Sequence, residues 1–190
     1  TCRYPHVTYF MNGLSDASFE NEYRILVPTP DVAHKDERPR MMTKEVADRG
    51  IAAIEEGADF VVMNFAAPDV IAHTGNFEAT KEAILIADRE LGNVAKAVLA
   101  RGGALIVTSD HGNAEQMRNP VTGAVEVSHN ANPVPVIIVV TELEKPAGSV
   151  LPSYGTTEGL LSDIAPTVLA LMGIAPPPEM TGLSLINRLA

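Results

Sequence analysis

Residues 59–76 read DFVVMNFAAPDVIAHTGN and residues 104–113 read ALIVTSDHGN. Each stretch opens on an unbroken apolar run and closes on a cluster of side chains able to bind a cation. Asp59 to Ala66 shows no alternation of apolar and polar residues, the pattern of a strand covered on both faces in a parallel sheet. Ala104 to Thr108 has the same character, and Val134 to Val140 (VPVIIVV) is a third run of this kind. Between the first two lies Asn76 to Ala100, where Phe77, Ile84, Leu85, Leu91, Val94, Val98 and Leu99 recur at helical spacing before Gly102 and Gly103 stop the pattern. Upstream, Val46, Ile51, Ala52 and Ile54 give an amphipathic helix from Thr43 to the stop at Gly57. Strand alternating with helix predicts an α/β fold: a three-layer sandwich around a mostly parallel sheet.

The remaining segments fit around that frame. His6 to Phe10 (HVTYF) predicts a short strand, followed by a polar loop with Asn12, Gly13 and Asp16. Tyr23 to Val27 is a further apolar piece ended by Pro28 and Pro30. Asn119 to Glu126 predicts a turn or hairpin, Thr141 to Thr157 an exposed loop, and Ser162 to Met172 a last helix with Pro166 near its first turn. Pro176 to Pro178 and a short apolar turn through Leu183 and Leu185 close the chain. The chain has 190 residues, 46% apolar and 20% charged, which suits a globular core and excludes a disordered chain. With 24 acidic against 14 basic side chains the formal charge is -10, which argues against a nucleic-acid binder. The single cysteine, Cys2, excludes an internal disulfide and points to a reducing, cytoplasmic compartment. No apolar run reaches the roughly 18 residues of a membrane helix, and the start carries no signal segment. The first residue is Thr1, and a strand-like run follows at once, so the opening reads as the middle of a longer polypeptide.

Ligands of open α/β sheets bind beyond the carboxyl ends of the strands, so the residues following each apolar run carry the chemistry. Asp69 and His73 are one helical turn apart and share a face. Asp110 and His111 follow the ALIVT strand, with Gly112 relieving the backbone. Ser128, His129 and Asn130 precede the VPVIIVV strand. Taken singly, each has a plain structural reading: Asp69 as a helix cap, Asp-His-Gly as a turn, His129 as a loop histidine. Jointly, Asp69, His73, Asp110, His111 and His129 fall at one edge of the predicted sheet. Imidazole with carboxylate suits manganese or zinc better than calcium. Five such ligands exceed what one catalytic ion takes, and fit a pair of ions clamping a phosphoryl group. His6, His34, Ser109 and Ser128 are read as structural, and Glu55, Glu56, Glu82 and Glu90 as members of solvated helix faces.

The stretches HVTYFMNG (His6 to Gly13), FENEYRILVPTP (Phe19 to Pro30), MNFAAPDVIAHTGNFEA (Met63 to Ala79), TSDHGNAEQM (Thr108 to Met117), SHNANPVPVI (Ser128 to Ile137) and SDIAPTVLALMG (Ser162 to Gly173) resemble, in order and over nearly the whole chain, the cofactor-independent (2,3-bisphosphoglycerate-independent) phosphoglycerate mutases. These are members of the alkaline phosphatase superfamily. The resemblance implies metal-dependent interconversion of 3-phosphoglycerate and 2-phosphoglycerate through a phosphoserine, in glycolysis and gluconeogenesis, with two divalent ions, usually manganese. It implies Asp69, His73 and His129 as ligands of one ion and Asp110 and His111 as ligands of the other. It implies Arg3, standing where the family has a lysine, as a contact of the phosphoryl group. The family's nucleophilic serine, a further aspartate ligand and a substrate-clamping domain precede the region matched here. Residues 1–190 are therefore expected to be the C-terminal portion of a phosphatase-like catalytic domain, with no nucleophile of its own and little activity alone. Two other readings stay open: a different phosphatase or phosphomutase of the superfamily, and a metal-binding remnant without catalysis.

Overall fold

The structure is a computed structural model that describes residues 3–30, 32–141 and 159–186. It forms two compact units. One comprises Thr1–Arg101 with Gly112–Asn130, the other Gly102–His111 with Ala131–Ala190.

The first unit is built on three helices: α1 (Thr43–Glu56), α2 (Ala67–Ala72) and α3 (Phe77–Ala100). Helix α1 stops where the glycine signal predicts, with Gly57 in the left-handed region at φ 94° and its N–H on the carbonyls of Ala53 and Ile54. Its buried stripe is Thr43, Ala47 and Gly50. The stripe is small for a reason: a Cβ on Gly50 would lie 2.0 Å from the Met63 sulfur. The helix thus meets Met63 of the 59–66 segment at a glycine. Helix α3 starts at Asn76, whose side chain accepts the Ala79 N–H at 3.1 Å. It buries Ala79, Thr80, Ala83, Ala87, Glu90, Val94 and Val98, most of them three or four apart. Ala67 and Ile71 of α2 meet Ala79 and Ala83 of α3 in the core, with Met41 packed against them.

Glu90 departs from the expected solvated face. It is 3% exposed and accepts from Arg89 Nε and Asn93 Nδ2, each at 3.0 Å. A buried carboxylate is tolerated where such donors replace water, and charge pattern alone cannot reveal them. Glu55, Glu56 and Glu82 are exposed, as expected.

Two expected strands are absent among the described residues. His6 to Phe10 lies in a 3-10 turn (Tyr4–Val7) and the turns after it. Pro5 sets a turn-compatible φ at the start, and the Thr8 hydroxyl returns to the Tyr4 carbonyl at 3.0 Å. Asp59 to Ala66 pairs with no strand among the described residues, and Phe60 is 53% exposed. Apolar continuity signals burial, but a strand exists only with a partner ladder, which a run of side chains does not specify. Tyr23 to Val27 likewise has no regular structure.

A carboxylate organises the loop before it. Glu22 accepts from Phe19 N–H and Asn12 Nδ2, both at 2.8 Å, and from Arg24 Nε at 2.5 Å. Arg24 also reaches the Asp16 and Ala17 carbonyls at 2.9 and 3.2 Å. The Arg24 bond first, then the Phe19 N–H and Asn12, bring the Glu22 carboxyl from its ordinary 4.5 down to about 2.

The second unit holds β1 (Leu105–Thr108) and β2 (Val136–Val139), the predicted strands, but paired antiparallel with Leu105 opposite Val139 and Thr108 opposite Val136. This corrects the expected mostly parallel sheet, since the sheet of the described residues is this antiparallel pair. Apolar runs mark strands, while the direction of pairing depends on the connection between them. A 3-10 turn (Leu161–Asp163) leads into α4 (Ile164–Leu171), with Pro166 buried inside its first turn. Asp163 clasps this region: its carboxylate accepts the N–H of Leu160 at 3.0 Å and of Leu183 at 2.8 Å. Thr167 donates to the Asp163 carbonyl at 2.6 Å and accepts the Leu185 N–H at 2.9 Å. A Cβ on Gly182 would lie 2.1 Å from the Ser162 carbonyl oxygen, so the tail needs glycine there. Of the expected loop from Thr141 to Thr157, all but Thr141 lies outside the described residues. No helix among the described residues is long and apolar enough to cross a membrane.

Asp163→Ala leaves two backbone donors without their acceptor in a buried clasp. Urea unfolding should show a loss on the order of 2–4 kcal/mol. Because the folded Glu22 carboxyl titrates below its unfolded value, its contribution is present above pH 4.5 and disappears as pH falls through about 2. Acid titration of Glu22→Gln should therefore lack the part of the stability loss that the parent shows in that window.

Candidate metal centre

Asp69 stands in the first turn of α2 and His73 at its C-terminal cap, one turn later. Their side chains meet as the i, i+4 spacing predicts: His73 Nε2 is 3.2 Å from Asp69 Oδ1. The turn that follows explains the His-Thr-Gly-Asn sequence. Thr74 closes α2 by donating to the Ile71 carbonyl at 2.6 Å, and Gly75 takes φ 76°. A Cβ on Gly75 would lie 2.9 Å from Val125 Cγ1. That close approach sets the Val125–Val127 limb beside α2, and the Val127 carbonyl lies 2.5 Å from His73 Nδ1. A carbonyl only accepts, so Nδ1 carries the proton and Nε2 keeps its lone pair.

The limb then delivers His129. It grows from a turn in which Arg118 bridges Val125 and the Asn119 side chain accepts the N–H groups of Val121 and Thr122, each at 3.0 Å. This is the expected hairpin. Asn130 N–H meets the Gly112 carbonyl at 3.0 Å. His129 Nε2 lies 3.1 Å from Asp69 Oδ1 and 2.9 Å from His73 Nε2. The three ligand atoms thus form a triangle with edges of 2.9, 3.1 and 3.2 Å. Two imidazole nitrogens that close can share one proton at most. A divalent cation satisfies all three lone pairs together, and the triangle has the size that about 2.0–2.2 Å bonds to nitrogen and oxygen subtend. The residues present fit an ion, and the side chains are 22–40% exposed, so it has a way in.

Asp69 has two further neighbours. Asn113 Nδ2 donates to Oδ1 at 2.8 Å, and the Arg3 guanidinium pairs with Oδ2. Burial alone raises the Asp69 pKa. The Asn113 bond, then the charge of Arg3 and the nearby His73 and His129, outweigh burial and hold the carboxyl below its ordinary value. Asp69 is accordingly an anion at neutral pH. Arg3, expected as a phosphoryl contact, is here the counter-charge of this carboxylate. Its Nε is buried without a hydrogen-bond partner among the described residues.

Asp110 and His111 belong to the second unit, just beyond β1. His111 Nε2 is 3.5 Å from Asp110 Oδ1, and the Asp110 side chain is 64% exposed. Ser109 donates to the His111 carbonyl at 2.8 Å, in keeping with its structural reading. Ser128 is exposed. His6 stacks edge-on against Phe10 with ring centroids 5.7 Å apart. Asn113, Glu115 and Asn130 were given no role by sequence reasoning. The one signal was their place: they lie close to Gly112 and His129 in the two loops that carry expected ligands.

Residues 1–176 match the metalloenzyme superfamily. The 2,3-bisphosphoglycerate-independent phosphoglycerate mutases of Roseobacter denitrificans and Gluconobacter oxydans are each 46% identical to the chain, over 98% of it and 35% of their own length. A crystal structure of Leishmania mexicana phosphoglycerate mutase at low cobalt concentration matches with a TM-score of 0.80 at 30% identity, covering 96% of this chain and 35% of that one. The alkaline-phosphatase-like fold expected from sequence therefore holds for the part the chain covers, which is 35% of the length of these relatives.

Manganese added to metal-free protein should raise the melting temperature, by the equivalent of about 2.7 kcal/mol at a hundredfold excess over Kd. His73→Ala and His129→Ala should each abolish the rise in scanning calorimetry. An undiminished rise in both variants places the ion elsewhere.

Proposed function

The chain belongs to the metalloenzyme superfamily, and on that footing we propose that it supplies the ion-binding part of a phosphoryl-transfer centre interconverting 3-phosphoglycerate and 2-phosphoglycerate. The observation that carries this is the triangle of Asp69 Oδ1, His73 Nε2 and His129 Nε2, set within a sequence that runs alongside phosphoglycerate mutases over 98% of its length. In this reading Asp69, His73 and His129 hold one divalent ion, Asp110 and His111 contribute to a second, and manganese occupies both. All 190 residues then serve one catalytic domain, acting in the cytoplasm within glycolysis and gluconeogenesis.

When bound, paired ions neutralise the charge that builds up on a transferring phosphoryl group. The chain's own residues do the rest. The Val127 carbonyl accepts the His73 Nδ1–H and so turns Nε2 toward Asp69 and His129. Asp69 stays ionised because Asn113 and Arg3 stabilise the anion. An arginine side chain has about five N–H donors, so Arg3 can hold Asp69 with one and offer others to phosphoryl oxygens. The substrate is an anion and the chain carries a formal charge of -10. Attraction therefore comes from the ions and Arg3 at short range, and the surface as a whole repels. In this reading the nucleophile that receives the phosphoryl group comes from outside the matched region, as the resemblance implies.

The test is a chimera in which this chain replaces the matching 35% of the Roseobacter denitrificans mutase. Loaded with manganese, it should convert 3-phosphoglycerate to 2-phosphoglycerate, while the isolated chain binds manganese and yields little product. His129→Ala in the chimera should lower kcat by at least about a hundredfold. A folded, metal-loaded chimera that turns over other phosphate esters and leaves 3-phosphoglycerate untouched assigns the chain to a different phosphatase or phosphomutase.

A further inference from the structure

The loops that carry Asn113 and His129 are joined by a carboxylate. Glu115 Oε2 accepts the backbone N–H of Asn113 at 2.8 Å, and Glu115 Oε1 accepts from Asn130 Nδ2 at 2.8 Å. Asn113, itself 4% exposed, donates its side-chain amide to Asp69 Oδ1 at 2.8 Å. Asn130 is the covalent neighbour of His129. One carboxylate therefore touches both the residue that orients the aspartate and the residue next to a histidine. The space for it is provided by Gly112: a Cβ there would lie 2.2 Å from Asn130 Oδ1 and 2.5 Å from Glu115 Oε1. The Asn130 N–H on the Gly112 carbonyl, at 3.0 Å, completes the seam. Both oxygens of Glu115 bond to these two loops.

We propose that Glu115 is a positioning residue, a staple that fixes the spacing between Asp69 and His129 and so sets the affinity of the site for its ion. The proposal rests on the reading of Asp69, His73 and His129 as ligands of one ion. Its physical basis is acceptor chemistry: the Asn113 N–H and the Asn130 amide are both donors, and only a carboxylate accepts from the two through equivalent oxygens. An amide at position 115 must turn its NH2 toward one of the two donors and lose that bond. Residues that orient metal ligands typically change affinity about 10–100-fold when altered. Glu115 is exposed, so an isosteric change there spares the core.

Manganese binding to the metal-free chain, followed by the paramagnetic signal of the free ion, tests this with four proteins: the parent, His73→Ala, Glu115→Gln, and Glu115→Gln combined with Asn130→Asp. The double variant keeps the net charge and reverses the polarity of one bond. The new amide at position 115 donates to the new carboxylate at position 130, while its carbonyl still accepts the Asn113 N–H. Glu115→Gln should bind manganese at least about tenfold more weakly, with an unchanged urea midpoint for the metal-free protein. The double variant should recover to within about threefold of the parent. If the parent and His73→Ala bind manganese alike, the site reading fails and the staple with it. If His73→Ala loses binding while Glu115→Gln matches the parent, the staple alone is wrong. It is equally wrong if the double variant stays as weak as the single one. Should Glu115→Gln not fold, Glu115→Asp, whose shorter arm cannot reach both donors, carries the same expectation.

Discussion

A single carboxylate, that of Asp69, is the point on which the first unit converges. Arg3, Asn113, His73 and His129 reach it from parts of the chain up to 66 residues away. Its oxygens have different duties. Oδ2 belongs to the Arg3 guanidinium, and Oδ1 faces the two imidazoles and the Asn113 amide. Bringing a carboxylate partly out of water costs free energy unless its charge is answered, and here the answer is distributed among a full charge, an amide and two rings. Such an arrangement holds Asp69 ionised and oriented.

The packing beneath serves that convergence. Helix α2 is only six residues long, too short to be stable alone, and is held by Ala67 and Ile71 against α3. Its C-terminal end is closed by Thr74 and Gly75, and the glycine admits the valine limb that fixes the His73 tautomer. A β-carbon at position 75 would both strain the backbone and push Val125 away, so the placing of His73 and the turn geometry are one constraint. Much the same holds at Gly112, where absence of a side chain lets two loops close on a shared carboxylate.

The helices were legible because their signals are local. Apolar spacing and a glycine stop suffice for α1, and Asn76 for the start of α3. The strands were legible only as apolar runs. Leu105 to Thr108 and Val136 to Val139 find each other, but antiparallel, and Asp59 to Ala66 finds no partner among the described residues. Pairing is a property of two segments, and neither segment states it. Glu90 shows the same limit for charge: its donors Arg89 and Asn93 are close in sequence, yet only packing of the helix decides that this glutamate, and not Glu82, goes inside.

The site divides along the same line. Asp69 and His73 were recognisable as a pair because their spacing makes one helical turn. His129 was recognisable only by family resemblance and by its place beside a strand, since no local rule links it to position 69. Asn113, Glu115 and Asn130 carry common side chains in loops, where a hydrogen bond to the neighbouring loop leaves no periodic trace. Arg3 is the instructive intermediate. The resemblance implies a phosphoryl contact there, and what the structure shows is the counter-charge of Asp69. A lysine ammonium is a compact point charge, whereas the guanidinium is a planar fork with donors in fixed directions. Arginine at this position can therefore hold the carboxylate from one edge while its other N–H groups keep fixed directions of their own, which an ammonium paired to the same oxygen does not set.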